Sequence, residues 1–441
     1  RRLVPPTSQD MNMDQTPDNL PDTDRRHDDR VPAVPPGDFV DLFERTAVFD
    51  ITASPVLIVH ARQAYWVQND DAKTMDPSAI RGQLTTQIPL VVHAPTLAKR
   101  LDLPVVRAAD LLELYAFVRP ASFLSPTLNG FADALGLAAP QSVSSENQQQ
   151  NLLSIAAFMR QVAQQLLAEA AATPDAQMVP SAWMMARAKW PWAAALMASL
   201  GDRATSFSGD AFRTMRVWDQ IDAWEDEGTT PKAGTDPVME DEARLQLDRL
   251  LAARTQGSEQ INNAERRTQQ ADYAAGTSAA FRPRDEEGQP NLVLAEAGTG
   301  VGKTLGYLAP ATVWAAKNNA PVWISTYTRN LQRQIDQELD RMFDDKAQKS
   351  HHVVVRKGRE NYLCLLNYQE AILASGKNDR DTQAMVLMAR WLQRTDAGDL
   401  EGGDLPGWIV ELFGPRYTTD LSDHRGECLY TACAHYNKCF I

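Results

Sequence analysis

No stretch of this chain is both long enough and apolar enough to cross a bilayer as a helix. The most apolar window, residues 182–200, is interrupted by Arg187, Lys189 and Pro191. A secretory leader is not visible either. The opening Arg1-Arg2-Leu3-Val4-Pro5-Pro6 has no initiating Met and no apolar core, and it reads as a truncated or disordered beginning. These absences predict a cytoplasmic protein with no membrane partner. Positive charge is also short: 44 Lys and Arg stand against 57 Asp and Glu, a net charge of −13. That balance speaks against a surface that coats nucleic acid everywhere, while leaving room for one local groove. Cysteine is scarcest, with four residues, all after position 363. In a reducing compartment, cysteines clustered in this way act as metal ligands more often than as a disulfide framework.

What is present begins with a phosphate-binding loop. The apolar run Leu292-Val293-Leu294-Ala295 leads into Ala297-Gly298-Thr299-Gly300-Val301-Gly302-Lys303-Thr304, and helix-type sequence follows from Leu305. Gly298, Gly300 and Gly302 lack Cβ, so the backbone can close around phosphate oxygens while the next helix aims its positive end at the same anion. Lys303 is placed to reach the β/γ-phosphates of ATP and Thr304 to ligate Mg²⁺. Ala297 departs from the general pattern, which has glycine there.

At 441 residues the chain has room for about three domains of ~150 residues each. Residues 1–37 are rich in Pro, Asp and Arg, and the composition predicts a disordered tail. Residues 38–145 alternate short apolar runs (Ala47-Val48-Phe49, Val56-Leu57-Ile58-Val59, Leu90-Val91-Val92, Asp110 to Leu114) with Pro and polar turns, as a small α/β domain would. Residues 146–258 form a helical region and linker, with helices expected over 151–172, 182–200, 210–224 and 237–254. The run Glu240-Asp241-Glu242-Ala243-Arg244 reads as a solvated helix face. Residues 259–360 carry the loop, strand candidates at 321–325 and 352–355, and a helix over 329–343. This βαβαβ order predicts a parallel sheet with helices on both faces. Residues 361–441 hold the cysteines.

Three further groups suggest chemistry. Gln270 precedes the loop at a distance suited to reading an adenine edge, because one amide donates and accepts at once. Thr326, Thr328 and Gln332 follow the second strand candidate, where hydroxyls and amides can hold a sugar–phosphate backbone; a plain helix N-cap by Thr326 or Thr328 is an equally simple role. Cys364, Cys428, Cys433 and Cys439 lie beside Arg425, His435 and Lys438. Four thiolates can bind Zn²⁺ or a [4Fe–4S] cluster, and one distant cysteine plus a C-x4-C-x5-C trio is less typical of structural zinc.

Taken together, Glu296 to Thr304, the Ser325-Thr326-x-Thr328-x-x-Leu331-Gln332 segment, and Lys357-Gly358-Arg359-x-Asn361-Tyr362-Leu363-Cys364 with the cysteine trio resemble the DinG/XPD-type iron–sulfur helicases of superfamily 2, the DinG branch being nearer. The resemblance covers about residues 264–441. It implies an incomplete RecA-like first motor domain with a mainly helical iron–sulfur insertion, held by the four cysteines. It also implies ATP-driven 5′ to 3′ unwinding of DNA, with single-stranded and forked duplex DNA as partners, by a monomer, in bacterial DNA repair, recombination or replication. It further implies that an Asp-Glu-Ala-His box and a second motor domain lie beyond Ile441, so that this stretch alone would bind nucleotide poorly and turn over little. A redox-responsive DNA-binding module with a vestigial ATPase, and a helicase–nuclease fusion, are the alternatives. The N-terminal α/β region more faintly resembles a degenerate RNase H-like, DnaQ-type 3′–5′ exonuclease domain. There Asp50-x-Thr52 stands for an Asp-x-Glu metal pair, a loss that predicts no nuclease activity. A docking domain or an unrelated α/β module fits those residues equally.

Overall fold

The computed structural model describes residues 49–60, 63–104, 106–141, 147–173, 175–223, 234–255, 268–283, 289–340, 342–343, 345–424 and 426–441. The expected disordered tail, Ala47-Val48 and Arg425 lie outside them. The chain divides into two compact units, residues 1–222 with 359–441 and residues 223–358.

The first unit is built on a five-stranded mixed sheet of order β3-β2-β1-β4-β5, with β1 Val56–His60, β2 Gln63–Gln68, β3 Asp71–Met75, β4 Leu90–Val91 and β5 Ala109–Asp110. β1, β2 and β3 run antiparallel in turn, while β4 lies parallel to β1 and β5 parallel to β4. Successive side chains point to opposite faces, and both faces are buried. Leu57, Trp66 and Val91 pack with Ile80 and Leu97 of α1 (Pro77–Leu84) and α2 (Ala94–Arg100). Val56, Tyr65, Val67 and Leu90 face a larger core that takes in α3 (Leu111–Val118), α4 (Leu128–Leu135) and α5 (Gln148–Ala172). Asp110 caps α3 and Thr127 caps α4, each side chain accepting from a first-turn N–H.

The continuous helix expected over 182–200 is two: α6 (Met178–Arg187) and α7 (Ala193–Leu200). Lys189 has a positive φ and Pro191 has no N–H, so the hydrogen-bond ladder cannot run through them. α8 (Asp202–Thr205) follows, and the helix expected over 210–224 is instead two 3₁₀ turns, Ala211–Met215 and Val217–Asp219.

In the second unit, α9 (Glu240–Thr255), α10 (Thr268–Thr277), α11 (Lys303–Asn318) and α12 (Arg329–Asp340) share a core of Leu247, Ala274, Leu305, Leu308 and Ile335; α13 (Lys346–His352) follows. The acidic run in α9 is only partly solvated. Ala243 is fully buried, and Glu242 pairs with Lys317 of α11 at 2.7 Å. The expected parallel sheet is absent among the described residues of this unit, because 292–295, 321–325 and 352–355 carry no strand. A strand exists only as a partner in a ladder. Here Leu292, Leu294, Trp323 and Val354 are exposed instead of sandwiched between helical layers.

The chain then returns to the first unit with α14 (Leu365–Ser375), α15 (Asp379–Leu392), α16 (Gly407–Phe413) and α17 (Arg416–Thr419). This stretch is mainly helical, as expected. α15 is buried from Thr382 to Leu392 on every side, the pattern of a central helix. Its Met385, Met388 and Trp391 belong to the same apolar core as Phe117, Phe158 and Trp192.

Candidate functional sites

The phosphate-binding loop has the backbone its glycines allow. Gly300 and Gly302 have φ of 83° and 85°, and Gly302 is the N-cap of α11. The Lys303 ammonium donates to the carbonyls of Ala297 and Gly298 at 2.8 and 2.9 Å, bridging the loop it would share with a phosphate. Thr304 occupies the second position of the helix and hydrogen-bonds Tyr307, whose hydroxyl is pushed up mainly by burial. Val301 is half-buried, and Thr299 belongs to the exposed turn.

Gln270 is buried at the same place. Its amide donates to the Gly302 carbonyl at 2.9 Å, and a Cβ on Gly302 would collide with that amide. The glycine is therefore required twice, for its dihedral and for the closeness of Gln270. A second close approach is made at Gly306, where a Cβ would lie 2.6 Å from the Tyr273 ring. Neither Tyr273 nor the Gln270–Gly302 contact was legible in the sequence, since both depend on how α10 packs on α11.

Thr328 caps α12, its hydroxyl accepting from Leu331 N at 3.2 Å. Thr326 donates to the Thr328 carbonyl at 3.5 Å, and Gln332 donates to the Arg356 carbonyl at 3.2 Å. Arg356 in turn lies over the exposed Trp323 ring, 5.8 Å from its centroid.

In the other unit, Cys364, Cys428, Cys433 and Cys439 line one cavity of about 250 Å³ together with Arg359, Asn367, Asp423 and Tyr430. Cys364 is the N-cap of α14 and is pinned by its own N–H to the Leu421 carbonyl at 2.8 Å. The other three are spaced by 3₁₀ turns at Tyr430–Ala432 and Tyr436–Lys438. Several backbone N–H groups face the sulfurs. His435 N lies 3.5 Å from Cys433 Sγ, those of Asn367 and Leu366 reach Cys364, and those of Leu365 and Ile441 reach Cys439. A hydrogen bond between Cys364 and Cys439, ahead of every other cause, raises the first thiol and lowers the second to about 7.

Among the described residues no group of three or more His, Cys, Asp or Glu is close enough to hold a single metal ion. The four cysteines line the same cavity, with the thiols of Cys364 and Cys439 in hydrogen-bond contact. Four thiols with N–H groups directed at sulfur are donors suited to a [4Fe–4S] cluster or to Zn²⁺. His435 and Lys438, which the spacing set beside the cysteines, turn away from the cavity. His435 Nε2 is 2.6 Å from Gln369 Oε1, its ring lies tilted against Trp218 with centroids 4.9 Å apart, and Lys438 donates to the Trp218 carbonyl. Arg359 pairs with buried Asp423 at 3.4 Å and donates to the Tyr430 hydroxyl at 2.9 Å. Asp423 and Tyr430 carry no sequence signal, because each is brought to the cavity only by chain folding.

Asp50 and Thr52 are not on a strand. Asp50 Oδ1 accepts from Thr52 N and Thr52 Oγ1, both at 2.7 Å, closing a turn ahead of β1. Those bonds, with Ala53 N, hold the Asp50 carboxyl below its ordinary range.

The chain is 34% identical over 194 residues to a Mycobacterium tuberculosis protein named ATP-dependent helicase DinG, covering 40% of this chain and 27% of that protein. It is 35% identical over 165 residues to the Escherichia coli protein named ATP-dependent DNA helicase YoaA, covering 35% of this chain and 23% of the relative. A Bacillus subtilis protein named 3'-5' exonuclease DinG matches at 32% over 149 residues, which is 34% of this chain and 15% of the relative. The matched stretch thus spans roughly a quarter or less of each of these relatives. No family model and no solved structure matches the chain.

Proposed function

We propose that this chain, a relative of the DinG-like helicases, supplies the nucleotide loop and the cysteine-held cluster of an enzyme that unwinds DNA at the expense of ATP. The observation that carries the reading is the convergence of four cysteines, separated by up to 75 positions (439 − 364), on one cavity, in a chain that also has a glycine-caged loop at a helix N-terminus. Lys303 and the N–H groups at the start of α11 hold the phosphates, and Thr304 offers its hydroxyl to Mg²⁺. Gln270 belongs to the same pocket as adenine reader, and its hold on Gly302 couples the base to the loop. Thr326, Thr328 and Gln332 contact the DNA backbone while Thr328 also caps its helix.

Cys364, Cys428, Cys433 and Cys439 hold a [4Fe–4S] cluster, which lends rigidity and a redox centre. The N–H groups facing their sulfurs favour the thiolate form. The polarity is 5′ to 3′ and the setting is DNA repair, as the family resemblance implies. The N-terminal sheet, with two parallel pairs beside a three-stranded antiparallel meander, suits a degenerate exonuclease-like domain. Asp50 is consumed in a turn, which speaks against the nuclease reading.

The test is strand-stimulated ATP turnover and forked-duplex unwinding by the full-length protein purified anaerobically, with iron and sulfide analysis. About four irons and four sulfides per chain, with turnover that rises on adding single-stranded DNA, are expected. Cluster without DNA-stimulated turnover would favour the redox-responsive binding module instead.

A further inference from the structure

In open sheets with parallel strands, ligands bind in the crevice beyond the carboxyl ends of the strands. In the N-terminal sheet those ends belong to β1, β4 and β5; His93 lies just past β4, Asp110 ends β5 and Glu113 is in the first turn of α3. An imidazole and two carboxylates at such an edge are the materials of a cation or phosphate site. The two carboxylates are already committed. Asp110 is fully buried and accepts from the N–H groups of His93, Ala94 and Leu112 at 3.1, 2.5 and 2.9 Å. Glu113, also buried, accepts from the Trp190 indole at 2.7 Å and pairs with Arg380 at 2.6 Å. His93 uses Nδ1 to cap α2 through Thr96 N, and its Nε2 lies 3.1 Å from the Glu411 carboxylate. The Trp192 indole occupies the Asp110 carbonyl at 2.8 Å.

Arg380 and Glu411 belong to the cysteine-bearing stretch. We infer that the carboxyl edge of the N-terminal sheet is a socket for the α15 and α16 helices, and that residues 49–222 are the folding scaffold of the cysteine cavity. The same union continues away from the edge. Arg390, buried, donates to the Phe117 carbonyl at 3.1 Å; Gln383 donates to the Ala188 carbonyl at 2.7 Å, and the Trp408 indole to the Leu124 carbonyl at 3.1 Å. It also reaches the cysteines. Tyr368, on the helix that Cys364 caps, donates to the Met215 carbonyl at 3.0 Å, and Lys438, next to Cys439, donates to the Trp218 carbonyl at 2.8 Å. Interfaces between domains that move are usually polar and solvated. This one is a continuous apolar core, crossed by ion pairs whose separation would leave Glu113 and Arg390 without their opposite charges.

The experiment uses the full chain in two measurements. In native-state hydrogen exchange, amides of α3, α5 and α15 open as one cooperative unit; α15 exchanging a hundredfold or more faster than α3 and α5 overturns the scaffold role. In the second, Glu113→Ala is compared with wild type for maleimide labelling of Cys364 after iron chelation. The variant is expected to label at least about tenfold faster, while Glu242→Ala, in the other unit, labels at the wild-type rate. Labelling of Glu113→Ala within twofold of wild type overturns the inference, whether or not that variant loses stability.

Discussion

The guanidinium of Arg390, only 1% exposed, lies 2.7 Å from the Asp175 carboxylate, 215 positions earlier in the chain. The same guanidinium sits over the Phe117 ring, 5.2 Å from its centroid. Removing one partner of such a pair strands a charge in the core. Asp175→Ala is therefore expected to destabilise the first unit by about 3–5 kcal/mol, read as a lower midpoint in urea unfolding with an unchanged slope.

The same pair sets a pH dependence. Burial alone would raise Asp175, but its bonds to Arg390 and Arg394 outweigh that and hold the carboxyl below its ordinary value. A depressed folded pKa contributes stability that is fully present above the unfolded value of about 4 and is lost as pH falls through the folded value. Wild-type unfolding midpoints should drop on acidification below about pH 4. Asp175→Asn should show a shallower drop across that window, and an identical slope would count against the pair.

At the nucleotide loop, Gly302→Ala adds a Cβ at φ 85° against the Gln270 amide. Left-handed backbone alone costs an alanine roughly 1–2 kcal/mol, so nucleotide affinity should fall about tenfold or more. Gln270→Ala in the same background relieves the collision but leaves the dihedral and removes the adenine reader, so no recovery of affinity is expected. Lys303→Ala should abolish ATP turnover by the full-length protein. Fluorescent-nucleotide titration and phosphate release check these outcomes.

Thr328 and Thr326 separate by role. Loss of an N-cap costs about 1 kcal/mol, so Thr328→Ala should loosen α12, seen as faster amide exchange at Leu331 and Gln332. Thr326→Ala should leave that exchange unchanged. Both are expected to weaken single-stranded DNA binding, measured by fluorescence anisotropy.

Cys428→Ser removes one of four donors at the cavity rim, and Cys364→Ser removes the buried one. Each is expected to lose most of its iron and its visible absorbance while nucleotide binding at Lys303 persists. Full iron retention in either variant would remove that cysteine from the ligand set.

Several features were legible from local pattern. The glycines of the loop, the helix that follows it, the long Ala- and Leu-rich helix expected over 151–172 and found over Gln148–Ala172, and the isolation of the cysteines all depend on a few neighbouring residues. The helix predicted over 182–200 was broken by Lys189 and Pro191, a local signal outweighed in reading by the apolar run around it. The predicted strands at 292–295, 321–325 and 352–355 show the opposite limit. Apolar β-branched runs state a preference for extended backbone, but a ladder also needs partners, and among the described residues these have none.

By itself, the sequence determined where a phosphate-binding turn can form, because Gly300 and Gly302 make positive φ inexpensive, and which four side chains can offer thiolates. Only the tertiary structure decided that those thiols face one cavity, that Gln270 lies against Gly302, and that Glu113 and Asp175 are spent on Arg380 and Arg390. Dihedral preference and donor chemistry are properties of single residues. Burial and charge pairing arise between residues as distant in the chain as Glu113 and Arg380, 267 positions apart, and depend on which helices the apolar core draws together.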